Sequence, residues 1–129
     1  TAVIGKLNVN SKIIEFVNFG HESIMCFNLN DKSFSYIKAE RPPLGLMNIK
    51  SPEAVKTNLI NIKNKKIFIY TDGVTEGYID DDKEFTIRGI EKEILGIQSL
   101  DIKQIVDVVT SKLNNRENLR DDITMMGLQ

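Results

Sequence analysis

Three aspartates flank two apolar runs in a pattern that could hold a divalent ion. The stretch Ile67 to Thr71 is an unbroken β-favouring run, too short for a typical helix, and it stops at Asp72 followed by Gly73. That predicts a buried strand ending in a tight turn, with Asp72 at its C-terminal mouth, where a rigid scaffold fixes the residue and a loop leaves one side open. Near the other end, Arg120 Asp121 Asp122 opens a run, Asp122 to Leu128, that is too short for a helix and reads as a closing strand. If the two strands are antiparallel neighbours, the end of one lies beside the start of the other, and Asp72 comes within reach of Asp121 or Asp122. Crowded carboxylates repel one another unless a cation neutralises them, and an all-oxygen donor set selects hard ions such as Mg²⁺ or Mn²⁺. Asp-Gly and Asp-Asp are also ordinary turn dipeptides, so the pairing of the strands decides between chemistry and punctuation.

The other reactive side chains are less promising. His21 could act as a general acid, but a lone histidine in a turn more often serves local hydrogen bonding. With one His and one Cys far apart, zinc is disfavoured. Cys26 lies in an apolar run and cannot form an internal disulfide, which suits a buried thiol in a reducing compartment. Asp80 Asp81 Asp82 lacks the spaced acids, mid-loop Gly and closing Glu of a calcium loop and reads as a solvated polar loop. Met125 and Met126 read as core packing.

The elements that must position these residues follow from periodicity. Strands are expected at Thr1 to Val9, Lys12 to Phe19, Ile24 to Leu29 and Ser33 to Lys38, forming a four-stranded meander. Arg41 Pro42 Pro43 Leu44 Gly45 breaks regular structure and predicts a loop packed through Leu44 and Leu46. A further strand is expected at Glu53 to Ile62, which alternates imperfectly. Ile87, Ile90, Ile94, Leu95 and Ile97 recur at helical spacing, as do Ile102, Ile105, Val106, Val109 and Leu113, the latter capped by Ser99 or Asp101 and stopped by Asn114 Asn115. The fold class is therefore α+β, an antiparallel β-sandwich with flanking helices.

With 129 residues the chain is expected to be a single domain, 1–129. Lys plus Arg (17) nearly balances Asp plus Glu (18), so no electrostatic footprint argues for nucleic acid or direct membrane contact. No apolar run reaches membrane-spanning length, and a cytoplasmic location is expected, either as a whole protein or as a domain of a larger one. The opening directly on a strand, without Met, suggests a chain truncated at its N-terminus.

Four segments in order, Asn18 Phe19 Gly20 His21, then Pro43 Leu44 Gly45, then Tyr70 Thr71 Asp72 Gly73 Val74 Thr75 Glu76, then Asp121 Asp122 Ile123 Thr124, resemble the SpoIIE-like branch of the metal-dependent (PPM, type 2C) serine/threonine protein phosphatases. The resemblance covers nearly the whole chain and implies the C-terminal part of an α-β-β-α phosphatase domain. It implies that Asp72 and Asp121 are catalytic metal ligands in a centre of two Mn²⁺ or Mg²⁺ ions, and that phosphoserine or phosphothreonine is hydrolysed without a covalent enzyme intermediate. Asp122 carries no role from the resemblance. By the same resemblance the substrate is a phosphorylated signalling protein such as an anti-anti-sigma (STAS) domain protein in bacteria, with sensor or regulatory domains upstream. The family's N-terminal Gly-Asp motif has no match here, so these residues alone are expected to be inactive. Asn-Phe-Gly-His stands for the usual Asn-Ala-Gly-His, and Phe85 Thr86 for the usual Phe-Gly. The competing expectations are a catalytically inactive phosphatase-like module that binds a regulatory partner, and an α+β domain whose acids are only turns.

Overall fold

The computed structural model describes residues 1–46, 56–80, 83–113 and 121–129. Nine strands and three helices are defined among them: β1 (Ala2–Asn8), β2 (Ile13–Phe19), β3 (Ile24–Asn28), β4 (Phe34–Ile37), β5 (Asn58–Asn61), β6 (Lys65–Tyr70), α1 (Asp72–Thr75), β7 (Tyr78–Asp80), β8 (Lys83–Glu84), α2 (Ile87–Gly96), α3 (Ile102–Leu113) and β9 (Met125–Leu128). The architecture is an antiparallel β-sandwich with helices packed on one sheet, in agreement with the α+β expectation.

The first four strands do not form one meander. β1 and β2 pair with β5 in one sheet, whereas β3 and β4 join β6 and β9 in another, in the order β4-β3-β6-β9. The chain crosses between sheets at Gly20, whose φ of +65° is open to glycine at little cost. Asn18, 1% exposed, fixes this corner: its Nδ2 donates to the Glu22 carbonyl at 3.0 Å, and its Oδ1 accepts from the His21 backbone N–H at 2.8 Å. A buried amide satisfied on both sides specifies the crossover, because leaving either group unpaired would cost about 1–3 kcal/mol.

Strand alternation then sorts side chains into two cores. Ile24, Cys26 and Ile67 point toward the first sheet and pack with Ile14, Phe16, Ile60 and Ile62. Met25, Phe27, Phe68 and Tyr70 point the other way, onto Ile90 and Ile94 of α2 and Ile105, Val109 and Leu113 of α3. The cleft between the sheets holds a cavity of about 240 Å³ whose lining includes Leu7, Phe16, Ile60 and Met126. Met126 is 47% exposed at this opening, so of the two methionines only Met125 packs against the helical core.

The helix expectations hold in register. Asp101, rather than Ser99, begins α3: its Oδ1 accepts from Gln104 N–H at 2.8 Å, while Gln104 Oε1 accepts from Asp101 N–H at 3.1 Å, a reciprocal capping box. Gly127 lets α3 lie close on β9, since a Cβ there would meet Ile102 Cγ1. Lys66, 2% exposed, crosses to the α2–α3 connection and donates through Nζ to the carbonyls of Gln98 at 2.9 Å and Leu100 at 2.5 Å. Burial lowers its pKa, opposed by the charge of Asp101.

Several local expectations change. Of the strand expected in Glu53 to Ile62, only Asn58–Asn61 is a strand among the described residues, residues 56–57 are not, and 53–55 lie outside them. Asn114 and Asn115 also lie outside. At the expected polar loop Asp80 of β7 pairs with Lys83 of β8, and Asp81 and Asp82 lie outside the described residues. Phe85 is buried beneath Gly89, and the following Thr86 supplies the extended N-cap of α2. Leu44 and Leu46 are exposed at 53% and 73%, so the loop is not packed through them; its hold comes from Pro43 against Gly20.

Candidate functional site

β6 and β9 pair antiparallel with Tyr70 opposite Met125, so the chain leaves β6 and enters β9 at one end of the sandwich. The pairing continues past the strands: Thr71 N–H donates to the Thr124 carbonyl at 3.0 Å, and Thr124 N–H donates to Thr71 Oγ1 at 3.0 Å. Thr71 Oγ1 in turn donates to the Asp122 carbonyl at 2.8 Å. One hydroxyl therefore ties the residue before Asp72 to the segment carrying Asp121 and Asp122.

The tight turn expected at Asp72–Gly73 is instead a single helical turn, α1. Glu76 N–H donates to the Asp72 carbonyl at 2.8 Å, and Thr75 Oγ1 does so at 3.0 Å. Gly73 is required for a steric reason. A Cβ at that position would stand 2.5 Å from the Asp122 carbonyl oxygen and 3.4 Å from the Asp121 carbonyl carbon. The absent side chain lets the two acid-bearing segments touch.

Asp72, Asp121 and Asp122 are all exposed. Asp72 Oδ1 accepts from Gly73 N–H at 3.0 Å and Asp121 Oδ1 from Asp122 N–H at 2.7 Å, so each of these two carboxylates is oriented by the backbone that follows it. Among the described residues no three of His, Cys, Asp and Glu gather where a metal could be held. The donors that Asp72, Asp121 and Asp122 offer are carboxylate oxygens, a chemistry that fits a hard cation and not zinc.

His21 sits at the same end but is engaged locally, its Nδ1 lying 3.2 Å from Thr1 Oγ1 and its backbone held by Asn18. Cys26 is buried, and burial raises its thiol pKa.

Behind the rim lies a polar group that sequence reasoning did not single out. Tyr70, 1% exposed, has a hydroxyl with no hydrogen-bond partner among the described residues. Burial, aided by the negative charges of Glu22 and Glu91, pushes its pKa up to about 12. Tyr36 donates to Glu91 Oε1 at 2.6 Å, and its pKa is also raised, by burial first and then by that bond and charge. Both phenols keep their protons above the ordinary value near 10, at which an unfolded chain releases them. Stability is thus fully present below pH 10 and falls as pH rises through the window from about 10 to about 12. Tyr70's share of that loss is about 3 kcal/mol at 1.36 kcal/mol per unit. Urea denaturation across this range should show a shallower decline for Tyr70→Phe, which at pH 7 should be as stable as the wild type or more so. A variant curve parallel to the wild type from pH 10 to 12 would refute this role.

The RsbU and RsbW domains of Rv1364c from Mycobacterium tuberculosis share the fold at a TM-score of 0.73 and 19% identity, over 97% of this chain and 34% of that one. The SiaA-PP2C domain of Pseudomonas aeruginosa matches at 0.73 and 12% identity, over 98% and 50%. The phosphatase domain of the cell fate determinant SpoIIE from Bacillus subtilis, presoaked with Mn, matches at 0.69 and 15% identity, over 100% and 56%. The chain thus spans about a third to just over half of these solved chains, and at such identities the likeness establishes the fold. No curated protein sequence matches significantly. No helix among the described residues is long and apolar enough to cross a membrane. The family model for Stage II sporulation protein E (SpoIIE) matches residues 1–129, and the chain belongs to that family.

Proposed function

We propose that the protein is a metal-dependent serine/threonine phosphatase of the SpoIIE type, to which this chain contributes Asp72 and Asp121 as ligands of a Mn²⁺ or Mg²⁺ centre. The observation that carries this reading is the contact of Gly73 with the Asp121–Asp122 peptide, which holds two acid-bearing segments at one exposed end of the sandwich. Bound divalent ions would supply an activated water and neutralise charge on the phosphoryl group. The chain's own part is to orient two carboxylates through their following N–H groups and to keep them at fixed spacing through Thr71. In this reading the Gly-Asp acids implied by the family resemblance, which have no match in these 129 residues, complete the ligand set, so the 129 residues alone are expected to show little or no turnover. Asp122, next to Asp121, acts here through its backbone carbonyl.

The substrate in this reading is phosphoserine or phosphothreonine on a bacterial signalling protein, a STAS-domain protein being the first to test, and the reaction takes place in the cytoplasm under control of upstream regulatory domains. The test is hydrolysis of a phosphoserine peptide by the full-length protein in Mn²⁺ and after chelation. Turnover that requires the ion supports the reading. A well-folded full-length protein with no turnover would leave a docking module in its place.

A further inference from the structure

Lysines gather at the end of the sandwich opposite the acids. β6 runs from Lys65 to Tyr70 toward Asp72, Asn28 at the end of β3 faces Lys65, and Ile13 at the start of β2 faces Asn61 at the end of β5. The turns 9–12, 29–33 and 62–64 therefore meet at the far end, and every residue of them is described. Backbone hydrogen bonds tie them together across the two sheets. Ile62 N–H donates to the Lys12 carbonyl at 2.9 Å, Leu29 N–H to the Asn64 carbonyl at 2.9 Å, and Lys65 N–H to the Ile62 carbonyl at 3.0 Å.

Between these turns is a pocket of about 220 Å³ lined by Lys12, Lys63 and Lys65, with Leu29, Ile62 and Gln129. Among the described residues no carboxylate side chain lines it, and none of the three lysines is in a salt bridge. Asp31, the acid in these turns, is engaged within its own turn: Oδ1 accepts from Ser33 N–H at 3.0 Å and Oδ2 from Asn28 Nδ2 at 3.1 Å. The non-glycine residues of positive φ among the described residues, Lys12, Lys32 and Asn64, all belong to this end. Asparagine is at home in that conformation, whereas a lysine draws no local hydrogen bond from it, so the turn at Lys12 does not itself call for an ammonium group.

We propose that this pocket binds a free, compact phosphate anion of the pyrophosphate class. Three ammonium groups around one small space repel one another, and a multivalent anion among them replaces that repulsion with attraction. Lysine meets phosphate oxygens as a point charge, with no need of a planar fork. The volume lies below the roughly 300–1,000 Å³ of pockets that hold drug-sized molecules, so the anion must be small and its charge dense. Because the turns are already locked to one another, little ordering has to accompany binding. The site stands whether or not the acid end is a phosphatase centre.

The experiment is acetylation of lysines in the full-length protein, read by mass spectrometry across a pyrophosphate titration, which reports this end separately from anything held at the acids. Lys63 and Lys65 should react in the free protein and be protected saturably by pyrophosphate, while exposed Lys103 on α3 is not protected. Lys12→Asn suits the positive φ, so it should melt no lower than the wild type, yet it should raise the pyrophosphate needed for half-protection roughly threefold. Added salt should raise it further. Equal protection in variant and wild type, no protection at all, or lysines unreactive in the free protein because other parts of it cover them, would each overturn the site. Protection by phosphatidylglycerol vesicles and not by pyrophosphate would give the phosphate a lipid source and overturn the free anion.

Discussion

Asp72→Asn should lower Mn²⁺-dependent hydrolysis of a phosphoserine peptide by the full-length protein by roughly a thousandfold, about 4 kcal/mol of barrier. The substitution keeps shape and one oxygen. Asn can still accept from Gly73 N–H through Oδ1, as Asp72 does at 3.0 Å, and the residue is exposed, so unfolding by urea should change by no more than about 0.5 kcal/mol. What disappears is the negative charge that the proposed divalent-ion centre would draw from this position. Asp121→Asn should behave alike, because its Oδ1 accepts from Asp122 N–H in the same manner. If both carboxylates serve one centre, the double variant should lose far less than the product of the single losses, since groups acting as a unit are not additive. Manganese binding measured by titration calorimetry should weaken in parallel. Activity of Asp72→Asn within tenfold of the wild type would remove this carboxylate from the mechanism.

Gly73→Ala should damage both stability and activity, for a reason unrelated to charge. The new methyl would stand 2.5 Å from the Asp122 carbonyl oxygen, and the obstacle is backbone that cannot swing aside like a flexible side chain. Either α1 or the segment before β9 must retreat. A retreat pulls on the Thr71 hydroxyl, which bonds to the Asp122 carbonyl and receives the Thr124 N–H. Overpacking of this sort costs about 1–3 kcal/mol, and a shift of about 1 Å between metal ligands can reduce turnover about a hundredfold. Thermal unfolding and the peptide assay together separate this variant from Asp72→Asn, which should lose activity at near-normal stability. Wild-type turnover by Gly73→Ala would show that the closeness of the two segments is incidental.

Much of the framework was legible because periodicity reports which face a residue takes. The run from Ile67 lies in β6 as far as Tyr70, with its alternate side chains in two cores, and the apolar positions of α3 followed an Asp101 start that the capping rule anticipates. Periodicity does not say which sheet a strand joins. That choice was made at the Gly20 corner by a buried amide bonding to Glu22 and His21, and nothing in the pattern of Asn18 Phe19 Gly20 His21 distinguishes such a crossover from a hairpin end. Leucine beside proline suggested a packed loop, yet the proline carries the packing and the leucines do not. At the site, residue types pointed to Asp72 with Asp121 or Asp122, and the choice of Asp121 came from the family resemblance. The contact through Gly73 was not readable, since a glycine after an aspartate is equally suited to a turn.

β6 sits between β3, its partner from earlier in the chain, and β9, which arrives more than fifty residues later. During synthesis the first edge is closed early, whereas the second waits for Met125 to Leu128 to leave the ribosome. Until then Ile67 to Tyr70 presents an unpaired, strongly apolar border of the kind that recruits other chains. A polypeptide interrupted before Met125 would keep that border permanently, making β9 a safeguard against aggregation in the nascent protein.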